Sequence, residues 1–240
     1  MNYQSIIEKL KTLSSEKYKK NVIKMGIPEK NSLGVSTSDI RKLAKSIPNS
    51  NQTAYQLWNS NYHEAKLLAV LIFEKKNLNL SEIKNLINDV VSWDLCDHLC
   101  KNLIIKIDGY EDLIYEWVDS NQTYTKRAAF TLIANDIIHN KKILDSTIDN
   151  YLILIKEHSH TEQVHVKKAI VWALKEIGKK NFIYHEKALI LAHELSIHGD
   201  SSQKWIAKNT IKELENLIKV EGRTRLISRN SKMGKEKHND

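Results

Sequence analysis

VKKAIVWA, residues 166–173, sets two lysines directly ahead of an apolar run whose members recur at three- and four-residue steps. That is the spacing of a helix that buries one face. The same arrangement returns as HEAKLLAV at 63–70, TKRAAFTL at 125–132 and SQKWIAKN at 202–209. Each copy places a cation (Lys66, Arg127, Lys168 or Lys204) before its apolar residues. Recurrence at the interval of a helical hairpin predicts stacked two-helix repeats, in which each unit buries its apolar face only against its neighbours.

The text between these copies agrees. Both prolines, Pro28 and Pro48, lie in the first fifth of the chain, and glycine is sparse after them. Turn and cap residues at Asn59-Ser60-Asn61, Ser81, Ser92, Asp108-Gly109, Ser120-Asn121, Asp145-Ser146 and Gly199-Asp200 cut the remainder into short helices. The resulting pairs span residues 51–76, 81–107, 110–139, 144–179 and 184–219. The expectation is an all-α fold, one helical-repeat domain over residues 1–219. Its repeats stack in a curved solenoid, with the second helices along a concave basic groove. Residues 220–240, with few apolar side chains and a basic bias, read as a flexible tail.

The formal net charge is +8. Such an excess favours polyanions, nucleic acid first and an anionic membrane surface second. No run of eighteen apolar residues is present, which argues against a membrane span. Two cysteines, Cys96 and Cys100, fit a reducing cytoplasm better than a disulfide-built secreted domain. A cation at a helix start mildly opposes the helix dipole. Four repetitions of that placement point to an anion outside, and a row of such cations would track phosphates.

One rung differs. SWDLCDHLC, residues 92–100, carries Trp93, Asp94 and Asp97 where its neighbours carry a cation. Trp93 and Asp97 are four apart, so indole and carboxylate leave the helix on one side. Alone, such a pair is most simply a half-buried indole and a solvated acid. Trp172, one turn after Lys168, and Arg127 on the helix between extend the set to two aromatic plates, one carboxylate and one phosphate clamp. Asp94 reads as a helix cap. Two thiols on one helix supply half a zinc shell, so no metal is expected. The ten histidines show no ligand spacing, and no phosphate loop, nucleophile elbow or HExxH helix is present.

Taken together, LGVSTSDIRKLAK at 33–45, SWDLCDHLC at 92–100, KRAAF at 126–130, KKAIVWALKEIGKKN at 167–181 and KWIAKNTIKEL at 204–214 resemble the AlkD-like DNA alkylation-repair glycosylases. The resemblance runs from about Leu33 to Leu214. It departs at Ser36-Thr37-Ser38, where a proline-containing start is usual in that family. It implies HEAT/ARM-like repeats, excision of purines alkylated at N3 or N7 from duplex DNA without base flipping, and no metal or organic cofactor. By the same likeness Asp97 is the essential acid, Arg127 the arginine, and Trp93 and Trp172 the active-site tryptophans. Lys66, Arg127, Lys168 and Lys204 are the expected DNA contacts, and no obligate protein partner is implied. The competing readings are a catalytically silent DNA-binding relative and a protein-interaction scaffold. Trp58, Trp117 and Trp205 are expected in the core.

Overall fold

Capping side chains set the helix starts in the first part of the chain. The computed structural model describes residues 2–236. Asn2, Ser15, Ser36 and Ser50 each accept a backbone N–H at the openings of α1 (Tyr3–Thr12), α2 (Glu16–Lys24), α3 (Thr37–Ala44) and α4 (Asn51–Trp58). Ser36 also donates to Asp39 Oδ2 at 2.7 Å, so the segment that departs from the family pattern is a self-capped helix start. Asn79 and Glu82 close a reciprocal capping box on α6 (Leu80–Asn88). The helix pairs then follow the sequence reading closely. They are α4 with α5 (His63–Ile72), α6 with α7 (Trp93–Asn102), and α8 (Tyr110–Trp117) with α9 (Thr123–His139). After them come α10 (Asp145–Glu157) with α11 (Val164–Gly178), and α12 (Phe182–His198) with α13 (Ser201–Leu214).

The chain forms two compact units, divided between Leu113 and Ile114. In the first, α5 packs against α1, α3, α4 and α7. Ile6, Leu10, Ile40, Leu57 and Leu68 have no exposed surface there. Glu64, on the first turn of α5, is 2% exposed. Its carboxylate accepts from the backbone N–H groups of Leu33 (2.8 Å), Gly34 (2.7 Å) and Val35 (3.2 Å) and from the Ser32 hydroxyl at 3.1 Å. This is what holds LGV at 33–35 in place. Gly34 has φ +80°, and a Cβ there would stand 2.6 Å from the Ser15 carbonyl oxygen. Only glycine meets both demands.

In the second unit α11 is central, packed against α9, α10, α12 and α13. Ala128, Ala129 and Ala134 of α9 and Ala169 and Ala173 of α11 are wholly buried, which lets the two backbones approach closely. Past α13 the reading of a flexible tail needs correction. Strands β1 (Leu217–Ile218) and β2 (Ile227–Ser228) pair antiparallel, and α14 (Lys232–Glu236) follows. Arg225 donates to the Ile137 carbonyl at 3.2 Å and the Glu176 carbonyl at 3.1 Å, and forms an ion pair with Glu176 at 2.5 Å. Leu226 N–H reaches the Lys179 carbonyl at 2.8 Å, and Val220 and Leu226 are buried. The local composition is that of a tail, but long-range bonds to α9 and α11 fold it through Glu236. Residues 237–240 of that segment lie outside the described residues.

Candidate functional site

In the first unit the candidate chemistry sits at the opening of α7. Trp93 is partly exposed, and its Nε1–H donates to the Met25 carbonyl at 2.9 Å, which fixes the indole against the end of α2. Asp97, one turn on, is also partly exposed. Leu95, Cys96, Leu99 and Cys100 are wholly buried on the same helix, and the two cysteines form no disulfide. Burial thus leaves the indole and the acid partly exposed, with the apolar side chains and the thiols enclosed beside them.

Asp94, expected as a helix cap, is instead held by two side chains. Ser92 donates to its Oδ1 at 2.7 Å, and His63 Nε2–H donates to its Oδ2 at 2.8 Å. Burial works against ionisation, but the His63 bond and charge together with the Ser92 hydroxyl outweigh it and hold the carboxyl below its ordinary value. His63 is buried at the start of α5, not on the surface. The pair thus ties the opening of α7 to α5. A small cavity of about 20 Å³ lies beside it, lined by Tyr18, Thr37, His63, Glu64 and Asp94 among others. The sequence carries no local signal for this pairing, because the partners are thirty-one residues apart.

His98 is buried on α7, with Nε2–H donating to the Leu67 carbonyl at 3.1 Å. Burial, with the charge of Arg41, pushes it down from 6.5 to about 4. The unfolded chain therefore takes up a proton below pH 6.5 that the folded chain refuses until about pH 4. Stability should fall across that window by roughly 3 kcal/mol and be flat above it. Urea unfolding at a series of pH values checks this. His98→Gln should remove most of the slope between pH 6.5 and 4, and an unchanged slope would refute it.

Lys66 is placed differently from the other cations. Its ammonium lies 5.1 Å from the Trp58 ring centroid and 3.5 Å from the Asp89 carbonyl. Burial lowers its pKa, partly offset by Asp89. It is drawn onto α4 and the end of α6.

In the second unit, Arg127 departs from the expected exposed clamp. It is 6% exposed, and Nη1 donates to the His165 carbonyl at 2.6 Å, joining the second turn of α9 to the first turn of α11. The reason is packing: α9 is buried along most of its length, so a cation at its start is enclosed with it. Lys168 and Lys204 are exposed, on α11 and α13, and Trp172 is partly exposed one turn after Lys168. Trp58 and Trp117 are core residues, 1% and 3% exposed. Trp205 is not. It is 37% exposed, with the Lys167 ammonium 5.8 Å from its ring. The buried face of α13 runs through Ser202, Ile206, Thr210 and Leu214, so Trp205 falls one position off it, beside Lys204.

A further property joins the second helices. Four of them, α5, α7, α9 and α11, open without a side-chain cap bond, whereas α13 has a full capping box. At α5 the first backbone N–H of the helix is already engaged, His63 donating to the Asn31 carbonyl at 2.7 Å.

A family model described as DNA alkylation repair enzyme matches residues 6–214. Among solved structures the chain is similar to one described as a new family of proteins related to the HEAT-like repeat DNA glycosylases, with affinity for branched DNA structures. That match has 19% sequence identity and a TM-score of 0.74, and it covers 100% of this chain and 95% of the other. At this identity the likeness bears on the fold, a HEAT-like helical repeat. No curated protein matches. Among the described residues, no helix is long and apolar enough to cross a membrane.

Proposed function

The chain belongs to the DNA alkylation repair enzyme family, and on that premise we propose that it is a DNA glycosylase. Its substrates are purines alkylated at N3 or N7 in duplex DNA, and its reaction is hydrolysis of the bond to deoxyribose. The observation that carries this reading is the opening of α7. There a partly exposed indole and a partly exposed carboxylate lie one turn apart, while Asp94 is committed to His63 and Ser92.

The chemistry needs little beyond electrostatics. A purine alkylated at N3 or N7 is already cationic, so the C1′–N bond breaks with its electron pair going to the base, which leaves neutral. Positive charge passes to the sugar as an oxocarbenium. Asp97, ionised, stabilises that charge and orients a water. The water oxygen bonds C1′, and its proton goes to the carboxylate and then to solvent. Trp93 offers an indole face to the cationic nucleotide, an attraction worth roughly 0.5–2 kcal/mol. Its Nε1–H bond to Met25 keeps the ring from turning. In the second unit Lys168 and Lys204 supply charge for phosphates, and the buried Arg127 positions the α11 start through His165. Lys66 contributes less, being held by Trp58 and Asp89.

The test is direct. Incubated with methylated duplex, the protein should release free 3-methyladenine or 7-methylguanine above the spontaneous rate. A second reading is DNA binding without base release, favoured by the neighbour's affinity for branched DNA. It wins if no base is released from DNA that is demonstrably bound. The contacts have their own signature. Binding should weaken steeply with salt, and Lys168→Ala and Lys204→Ala should each flatten the log-log slope by about one unit at most. Salt-insensitive affinity would dismiss the phosphate role.

A further inference from the structure

The longest outer helix carries an apolar stripe that nothing in its own repeat covers. On α12, Ile183, Ile190 and Ile197 are 65%, 61% and 68% exposed, and Phe182 beside them is 62% exposed. Tyr184, Ala188, Leu191, Ala192 and Leu195 fill the opposite, buried side of the helix. Seven-residue spacing drifts by only about 20° per step on an α-helix, so the three isoleucines form one narrow line. They run most of the length of a 17-residue helix. Three β-branched apolar residues in line on an exposed face are not the scattered exposure that surfaces tolerate.

We propose that this stripe is the contact face of a homodimer, in which α12 packs antiparallel against α12 of a second copy about a two-fold axis at Ile190. The stripe is its own complement. With Ile190 on the axis, it faces Ile190 of the second copy, and Ile183 faces Ile197 of the second copy, which an isologous interface requires.

The flanking charges obey the same symmetry. Lys187 and Glu194 lie on one side of the line, the side facing α10, where they pair with Asp149 and Lys156. Glu186 and His193 are exposed on the other side. A two-fold axis in the interface keeps each flank on its own side and reverses its direction. Lys187 therefore comes beside Glu194 of the second copy, and Glu186 beside His193 of the second copy. Both flanks bring unlike partners together, and neither stacks two acids or two lysines. A helix of this length offers a contact of roughly 25 Å, toward the small end of specific interfaces. The dimer is accordingly weak and concentration-dependent. It rests on the second unit alone and is independent of the proposed glycosylase chemistry.

Sedimentation velocity across a micromolar to submillimolar range tests it. The full chain should pass from monomer to dimer. Ile190→Glu, at an exposed position, should keep the wild-type circular dichroism and melting temperature but raise the dimer Kd by about tenfold or more, because it buries two carboxylates face to face on the axis. Glu186→Lys should weaken association, and adding His193→Glu should restore it by reversing the pair. A chain that stays monomeric throughout overturns the proposal and leaves the stripe to a different partner. Dimers that survive Ile190→Glu, or a charge swap that fails to restore association, overturn the two-fold geometry.

Discussion

Asp97→Asn should lower single-turnover base release by about 100- to 1,000-fold, the scale on which one well-placed electrostatic group acts in a transition state. Duplex affinity should hold or rise slightly. The asymmetry follows from where charge resides at each stage. Before the bond breaks, DNA presents phosphates, and removing a negative side chain from a protein of net charge +8 does not repel them. As the bond breaks, the sugar turns cationic, and a neutral amide in place of the carboxylate loses most of the attraction. Asp97 is partly exposed on the polar side of α7, so the isosteric change should leave the core formed by Leu95, Leu99 and the two cysteines intact. Release measured on methylated duplex and fluorescence anisotropy on the same duplex separate the two effects. Near wild-type release would remove Asp97 from the reaction, and loss of affinity in step with release would assign it to binding.

Glu64→Ala should destabilise the first unit by about 3–5 kcal/mol, the cost of breaking a buried charged network from one side. The carboxylate is 2% exposed and satisfies three consecutive backbone N–H groups and the Ser32 hydroxyl. Alanine leaves those donors facing apolar surface, and the neighbouring cavity is too small to bring in enough water to replace four bonds. The segment also passes Gly34, whose backbone leaves no room to shift toward Ser15. Glu64→Gln should be milder, since one amide oxygen can still accept. Urea unfolding of both variants, set against wild type, is the measurement. A loss under 1 kcal/mol for the alanine would mean that the 32–35 segment is held by something other than this acid.

The fold was legible because it is written in local periods. Each of the five helix pairs announces itself by three- and four-residue apolar spacing and a turn residue at its border, and α4 through α13 fall within a few residues of those marks. That Trp93 and Asp97 leave α7 one turn apart was legible for the same reason. What escaped is everything decided across the chain. His63 and Asp94 meet over thirty-one residues, with no spacing rule to join them. Arg127 reads as a cation at a helix start, yet α9 is enclosed on so many sides that its guanidinium ends on a backbone carbonyl of α11. Trp205 was assigned to the apolar stripe of its helix, but the helix phase puts Ile206 in the core instead. The C-terminal hairpin has strands of two residues each, too short to register as a pattern, and Arg225 secures it through bonds spanning forty-nine and eighty-eight residues.

The two thiols on α7 make that helix its own gauge. Cys96 and Cys100 are the chain's full complement of cysteine, and both are wholly buried on the helix that carries Trp93 and Asp97. A thiol reagent therefore cannot react until α7 swings out or melts, and no other position competes for it. The rate of modification becomes a clock for breathing of the helix that bears the acid, read without a label or an engineered residue. Slower ticking in the presence of DNA would measure, in the opening free energy of one helix, how firmly the ligand holds that part of the protein shut.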